Sequence, residues 1–252
     1  VFIAKKFDVS KLKWEDYRYS TMAEVETAKP EEVRFLYLQN PDFIKLPDTF
    51  FTFENLEDLT ISSRSNSWDN EKIPFQEIQP EIGTLKKLKS LHISGASLEK
   101  LPEQISDLKQ LEQLGVSNCA LKSIPQSIFE LPKLKYLWIS SNELTGLPDK
   151  INLPELTHIH LEKNQLKTLP EALAEQLASN AEIKELSESH WQIIHFLRNK
   201  YLTLGAIPPM RRVCRELGLE QNAVRTLFGS CLQLWQIAGL PYPGEEAKTY
   251  MH

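Results

Sequence analysis

The chain has 252 residues, enough for one repeat array and a second small unit, and its 41% hydrophobic and 25% charged content is that of an ordinary globular protein. A net charge of −5 argues against generic binding to nucleic acid or to an anionic membrane, and no apolar run approaches the roughly 20 residues needed to span a bilayer. Three scattered cysteines, Cys119, Cys214 and Cys231, make neither a disulfide framework nor a zinc pattern and fit a reducing, cytoplasmic compartment, with delivery into another cell left open.

The first stretch, residues 1–32, begins at Val1 without a Met or a signal-peptide pattern, as expected of a processed or trimmed chain. It carries Trp14, Tyr17 and Tyr19 among charges and is expected to cap the apolar edge of the segment after it. From Val33 a phrase recurs. Val33, Leu56, Leu88, Leu111, Leu134 and Leu156 each open an apolar-x-x-apolar-x-apolar run, at steps of 23, 32, 23, 23 and 22 residues. Leu46-Pro47, Leu101-Pro102, Ile124-Pro125, Leu147-Pro148 and Leu169-Pro170 keep the same phase. A fixed period in the twenties predicts a stacked solenoid. The one step of 32 places about nine extra residues within 62–79, expected as a polar loop on one face that includes Trp68.

Within a copy, the alternation around Leu137 and Ile139 predicts a short strand with alternate residues buried. Asn142 and Asn164 fall eight residues after their starts, where a buried amide can satisfy backbone groups at the turn. Cys119 takes that slot in the preceding copy, which gives it a structural role. Ile105, Ile128 and Ile151 are expected to pack the returning segment inward. The pattern L-x-x-L-x-L-x-x-(N/C)-x-L with a trailing L-P-x-x-I, across residues 33–173, resembles the leucine-rich repeat family. That resemblance implies a curved α/β solenoid, a parallel sheet lining its concave face, and protein binding.

Strand residues that do not point inward are expected on the concave surface. One column reads Tyr37, Thr60, His92, Gly115, Trp138, His160, and its neighbour Phe35, Asp58, Ser90, Gln113, Tyr136, His158. Exposed aromatic side chains are common binding anchors, so Phe35, Tyr37, His92, Tyr136, Trp138, His158 and His160 are the candidate partner contacts. The alternative is that the chain's own C-terminal unit covers the last cluster. A shared metal is rejected: His92 and His160 stand three rungs apart, roughly 14 Å at about 4.8 Å per strand.

After Leu169 the periodicity becomes helical. Helices are expected over 170–178, from an N-cap at Ser187 to a stop at Gly205 and Pro208-Pro209, over 210–217, over 220–228 and over 230–238. Trp191, Ile194, Leu197 and Tyr201 would share one face of the long helix. Cys214, Gly218, Val224 and Leu227 would suit a helix-turn-helix, but the reading helix offers Arg225 alone as a base-contacting cation, with Arg211, Arg212 and Arg215 ahead of it. The segment from Leu186 through His190-Trp191, Phe196-Leu197-Arg198 and Tyr201, then Pro208-Pro209-Met210-Arg211 and Gln236-Ile237-Ala238-Gly239-Leu240-Pro241, resembles the DsrC/TusE sulfur-relay family across about 170–243. The resemblance implies a small helical domain, set here as 170–252, whose relatives pass sulfur as a cysteine persulfide. This chain departs from that chemistry. The tail Tyr242-Pro243-Gly244-Glu245-Glu246 has no cysteine, and Trp235 occupies the second family cysteine position. Cys231 is the displaced thiol candidate, with a buried apolar role as its alternative. No phosphate loop, nucleophile motif or spaced carboxylate pair stands out, so the chain is read as a non-catalytic binder of a protein partner, without cofactor or metal. A sulfur-relay role and helix-turn-helix DNA binding are the alternatives.

Overall fold

The computed structural model describes residues 18–63, 72–204 and 209–240. Each recurring phrase forms a strand: β2 (Phe35–Gln39), β3 (Asp58–Ser62), β4 (Ser90–Ser94), β5 (Gln113–Ser117), β6 (Tyr136–Trp138) and β7 (His158–His160). A two-residue strand, β1 (Arg18–Tyr19), precedes them, and all seven pair in parallel in chain order. Pairing follows the repeat itself, so Leu36, Leu59, Leu91, Leu114, Leu137 and Ile159 lie side by side. These residues and those two positions later are buried, and the residues between them face the other way.

The return path holds single 3-10 turns at Asp48–Thr52, Glu103–Asp107 and Gln126–Glu130, each preceded by its Pro, whose fixed φ suits the entry. At Pro80–Thr84 the preceding residue is Gln79. There the buried Gln79 amide donates to the Leu46 carbonyl at 2.6 Å and accepts from the Leu46 N–H at 3.0 Å. Seven residues after five of the six repeat starts the backbone turns left-handed: Asn40, Gly95, Asn118, Ser141 and Lys163 have φ of 47°, 70°, 52°, 55° and 55°. In the last three copies the next residue then meets the exposed carbonyls. Asn142 donates to Val116, Ile139 and Ser140 carbonyls and accepts from the Leu121 N–H, and Asn164 repeats the pattern one rung on. Cys119 does this weakly, through Sγ at 3.4 Å from the Ser117 carbonyl.

The inserted segment occupies the first part of the expected 62–79 window. Ile73, Phe75 and Ile78 are buried, and Ile73 bridges Ala96, so the repeat has resumed by residue 73. The extra length therefore falls between Ile61 and Ile73; residues 64–71, with Trp68, lie outside the described residues. Of the N-terminal cap, α1 (Met22–Thr27) is described, held by a Thr21–Glu24 capping box and seating Val25 in the repeat core. Trp14 and Tyr17 lie outside the described residues.

The C-terminal unit is helical: α2 (Glu171–Asn180), α3 (Glu188–Leu204), α4 (Met210–Glu216), α5 (Ala223–Phe228) and α6 (Cys231–Ile237). Gly218, Gly229 and Gly239, at φ of 67°, 73° and 69°, follow the last three. Gly205 and Pro208, expected to stop α3, lie outside the described residues. Ser187 stands at the N-terminus of α3 as expected: its carbonyl accepts from the Trp191 N–H at 3.1 Å, and its N–H and hydroxyl meet His190 Nδ1 at 3.1 and 2.7 Å.

Helix α2 belongs to both units. Leu173 follows Pro170 by three residues, as Ile105 follows Pro102, and with Leu177 it sits in the repeat core. Ala174 and Ala178, on its other side, sit in the helical core. Asn180 Nδ2 donates to the Leu156 carbonyl at 2.6 Å and the Leu153 carbonyl at 3.3 Å, while Gln176 Oε1 accepts from the Leu153 N–H at 3.1 Å. The buried Arg198 ties the joint from α3, donating from Nε to Ala238 and from Nη1 to the Leu169 and Pro170 carbonyls. Burial pushes its guanidinium down to about 10. No helix among the described residues is long and apolar enough to cross a membrane.

Candidate functional site: the concave ring array and its junction

The two predicted columns are in register across the sheet, from Phe35 and Tyr37 on β2 to His158 and His160 on β7. Residues two apart on a strand share a face, and parallel neighbours stand about 4.8 Å away, so ring-bearing residues on β6 and β7 must meet. Tyr136 and Trp138 stack at 5.3 Å with planes 6° apart. Tyr136 stacks on His158 at 5.0 Å, and Trp138 on His160 at 6.3 Å. His92, expected two rungs away from Trp138, joins them with its ring centroid at 5.3 Å. Gly115 lies between, and the absence of a side chain there lets the His92 ring lean across. The result is a continuous array of five rings.

Four of the rings stack on one another, and His92 meets Trp138 at a tilt of 43°. Tyr136, Trp138, His92 and His160 are partly buried, and His158 is exposed. Burial, and then the charge of His160, hold the His158 imidazolium below its usual range. The C-terminal unit borders the array at its end: α6 residues Leu232, Trp235 and Gln236 flank His158 and His160. A cleft of about 390 Å³ opens there, lined by Thr157, His158, Leu177, Asn180, Gln233 and Gln236. Phe35 and Tyr37 are partly buried on β2, four rungs from β6, and form a separate patch.

The remaining candidates fall elsewhere. Cys231 is half-buried, and burial, followed by the neighbouring Cys214, pushes its thiol up and away from the thiolate. Burial pushes Cys119 up to about 11. His190, in the family-like His-Trp pair, bonds Ser187 and the Leu227 carbonyl and meets Phe228 edge-on, so its ring knits helices together. In the helix-turn-helix region α5 begins at Ala223, later than expected, and Arg212 is engaged by Glu216. Among the described residues no three His, Cys, Asp or Glu gather as a metal-binding group. Two features escaped sequence reasoning. Gly115 was a lone glycine in a column of bulky residues, a usable signal; the α6 wall comes from distant chain and left none.

The repeated strands, one-turn returns and asparagine rungs define a leucine-rich repeat protein. A profile described as a leucine-rich repeat region matches residues 75–202, about half of the chain, and the chain belongs to that family. Its C-terminal part belongs to a second one: the profile "DsrC like protein" matches residues 160–245. There the chain is 39% identical over 87 residues to the sulfurtransferase TusE of Sodalis glossinidius, covering 31% of this chain and 80% of that protein. The oxidized γ-subunit of the dissimilatory sulfite reductase (DsrC) from Archaeoglobus fulgidus is 31% identical, over 29% of this chain and 75% of that one, with a TM-score of 0.27. A leucine-rich repeat protein of Leptospira interrogans is 24% identical, with a TM-score of 0.42, over 64% of this chain and half of that one's length. The two profile matches overlap across residues 160–202, which contain the shared helix α2.

Proposed function

We propose that the protein is a non-catalytic interaction protein that binds a protein partner through the concave face of its repeats. Its parts are an N-terminal cap at 1–32, the array at 33–173 and a DsrC-like unit at 170–252, acting in the cytoplasm. The observation that carries this reading is the continuous five-ring array, left accessible on a rigid sheet. Such rings give large contact area at little entropic cost. Tyr136, Trp138, His158, His160 and His92 form the anchor group, with Phe35 and Tyr37 as a second contact. Affinity capture from source-cell lysate, comparing wild type with the Tyr136→Ala/Trp138→Ala double variant, tests it. A protein retained by wild type and lost by the double variant is expected; equal retention by both refutes the reading.

The identity to TusE supports a second reading, a sulfur-relay role through Cys231. Against it, the tail lacks a cysteine and the Cys231 thiol is shifted away from the reactive form. Mass spectrometry after exposure to a persulfide donor decides: added sulfur on Cys231 supports the relay, and an unmodified Cys231 ends it.

A further inference from the structure

Glu162 follows His160 by two residues and so continues the same face of the chain beyond β7. Its Oε1 lies 3.7 Å from His160 Nδ1. Its Oε2 is buried and accepts no hydrogen bond. The Glu162 side chain, about a third exposed, lines a recess of about 180 Å³ together with Leu161, Lys163, Tyr201, Leu202 and Leu240. Lys163 stands exposed at the rim and makes no ion pair with Glu162 among the described residues. A buried carboxylate oxygen without a donor costs free energy until something supplies one.

We infer that this recess receives a basic side chain, arginine or lysine, from the protein bound on the concave face; the inference rests on the concave-face reading above. The chemistry selects the occupant. An apolar group would leave the Glu162 carboxylate without a counter-charge, and an anion would be repelled by it. A guanidinium or ammonium group brings both donor and charge. The methylene stem of such a side chain suits Leu202 and Leu240, and its charged head suits the nearby Tyr201 ring. A lone carboxylate is a poor metal site, and no three-ligand group forms among the described residues. The partner segment would then place a basic residue beside the one that meets Trp138 and His160.

The test uses the full chain and a phage library of random dodecapeptides, panned in parallel on wild type, Glu162→Gln and Trp138→Ala. Peptides from wild type should be enriched in Arg or Lys and should bind Glu162→Gln about tenfold or more weakly. They should bind Lys163→Ala more tightly, because a like charge has gone. Glu162→Lys, panned separately, should select acidic peptides. Thermal melts within a few degrees of wild type exclude a folding defect in the variants. Peptides that need Trp138 but bind Glu162→Gln equally well overturn this inference and leave the concave-face reading standing. Peptides indifferent to both substitutions overturn both. A selection with no clone preferring wild type over Glu162→Gln also overturns the inference.

Discussion

A methyl group at position 115 would sit 2.3 Å from Nδ1 of His92, closer than any real contact. The clash is with a side chain that can swing, so Gly115→Ala should cost under about 1 kcal/mol, below ordinary overpacking. It should nevertheless drive the His92 ring from Trp138. A near-unchanged Tm together with loss of the tryptophan ring-current shift on His92 protons in NMR is the expected pair of results. Asn142 is the opposite case. Its amide is buried and meets three carbonyls and one N–H, so Asn142→Ala leaves several groups unmet and should cost on the order of 2–3 kcal/mol in urea unfolding. The array also carries a pH response. His158 is held below its ordinary value of 6.5, so the unfolded chain binds the proton more readily than the folded one. That stability is present above about pH 6.5 and is lost as the pH falls through the lower folded value. Urea midpoints should therefore drop between pH 7.5 and 5.5, and the drop should shrink in His158→Gln.

At the scale of elements, the repeats were legible because one period controls everything: each strand, each left-handed residue and each inward isoleucine recurs at a fixed offset. The insertion was legible only to within 62–79, because Ile73, Phe75 and Ile78 count as repeat slots only after nine residues are removed. The site was half legible. Column register placed Tyr136, Trp138, His158 and His160 together, whereas the α6 wall and the Glu162 recess depend on how distant chain returns. Helix α2 is where the two halves share atoms. Leu173→Ala would open a cavity in the repeat core while leaving Ala174 and Ala178 on the other face untouched. It should cost about 2–5 kcal/mol. Since the same helix serves both cores, hydrogen exchange should rise in β7 and in α3 together; a rise confined to β7 would mean that the units are independent.

For the molecule as a whole, a solenoid has two ends whose apolar edges need covers. At one end β1 pairs with β2, and α1, packed on β1, seats Val25 in the repeat core. At the other, the last repeat has no further strand, and α2 supplies Leu173, Leu177, Gln176 and Asn180 in its place. That helix is held in turn by Arg198, whose Nη1 and Nε bridge the start of α2 to the turn after α6. The DsrC-like helices thus also serve as the cover of the last repeat. Removing residues 187–252 takes away Arg198 and the helical core on which Ala174 and Ala178 rest, leaving α2 with one face bare. An isolated helix of ten residues is marginal in water, so α2 should fray and expose Ile159, Leu161 and Leu156. The truncated chain should therefore aggregate, or bind a hydrophobic dye strongly, under conditions where the full chain stays monodisperse. Arg198→Met should reproduce this in milder form, with a lower Tm and raised dye binding. A monodisperse, cooperatively folding 1–186 fragment would show that the repeats close themselves, and would return the helical unit to a function of its own.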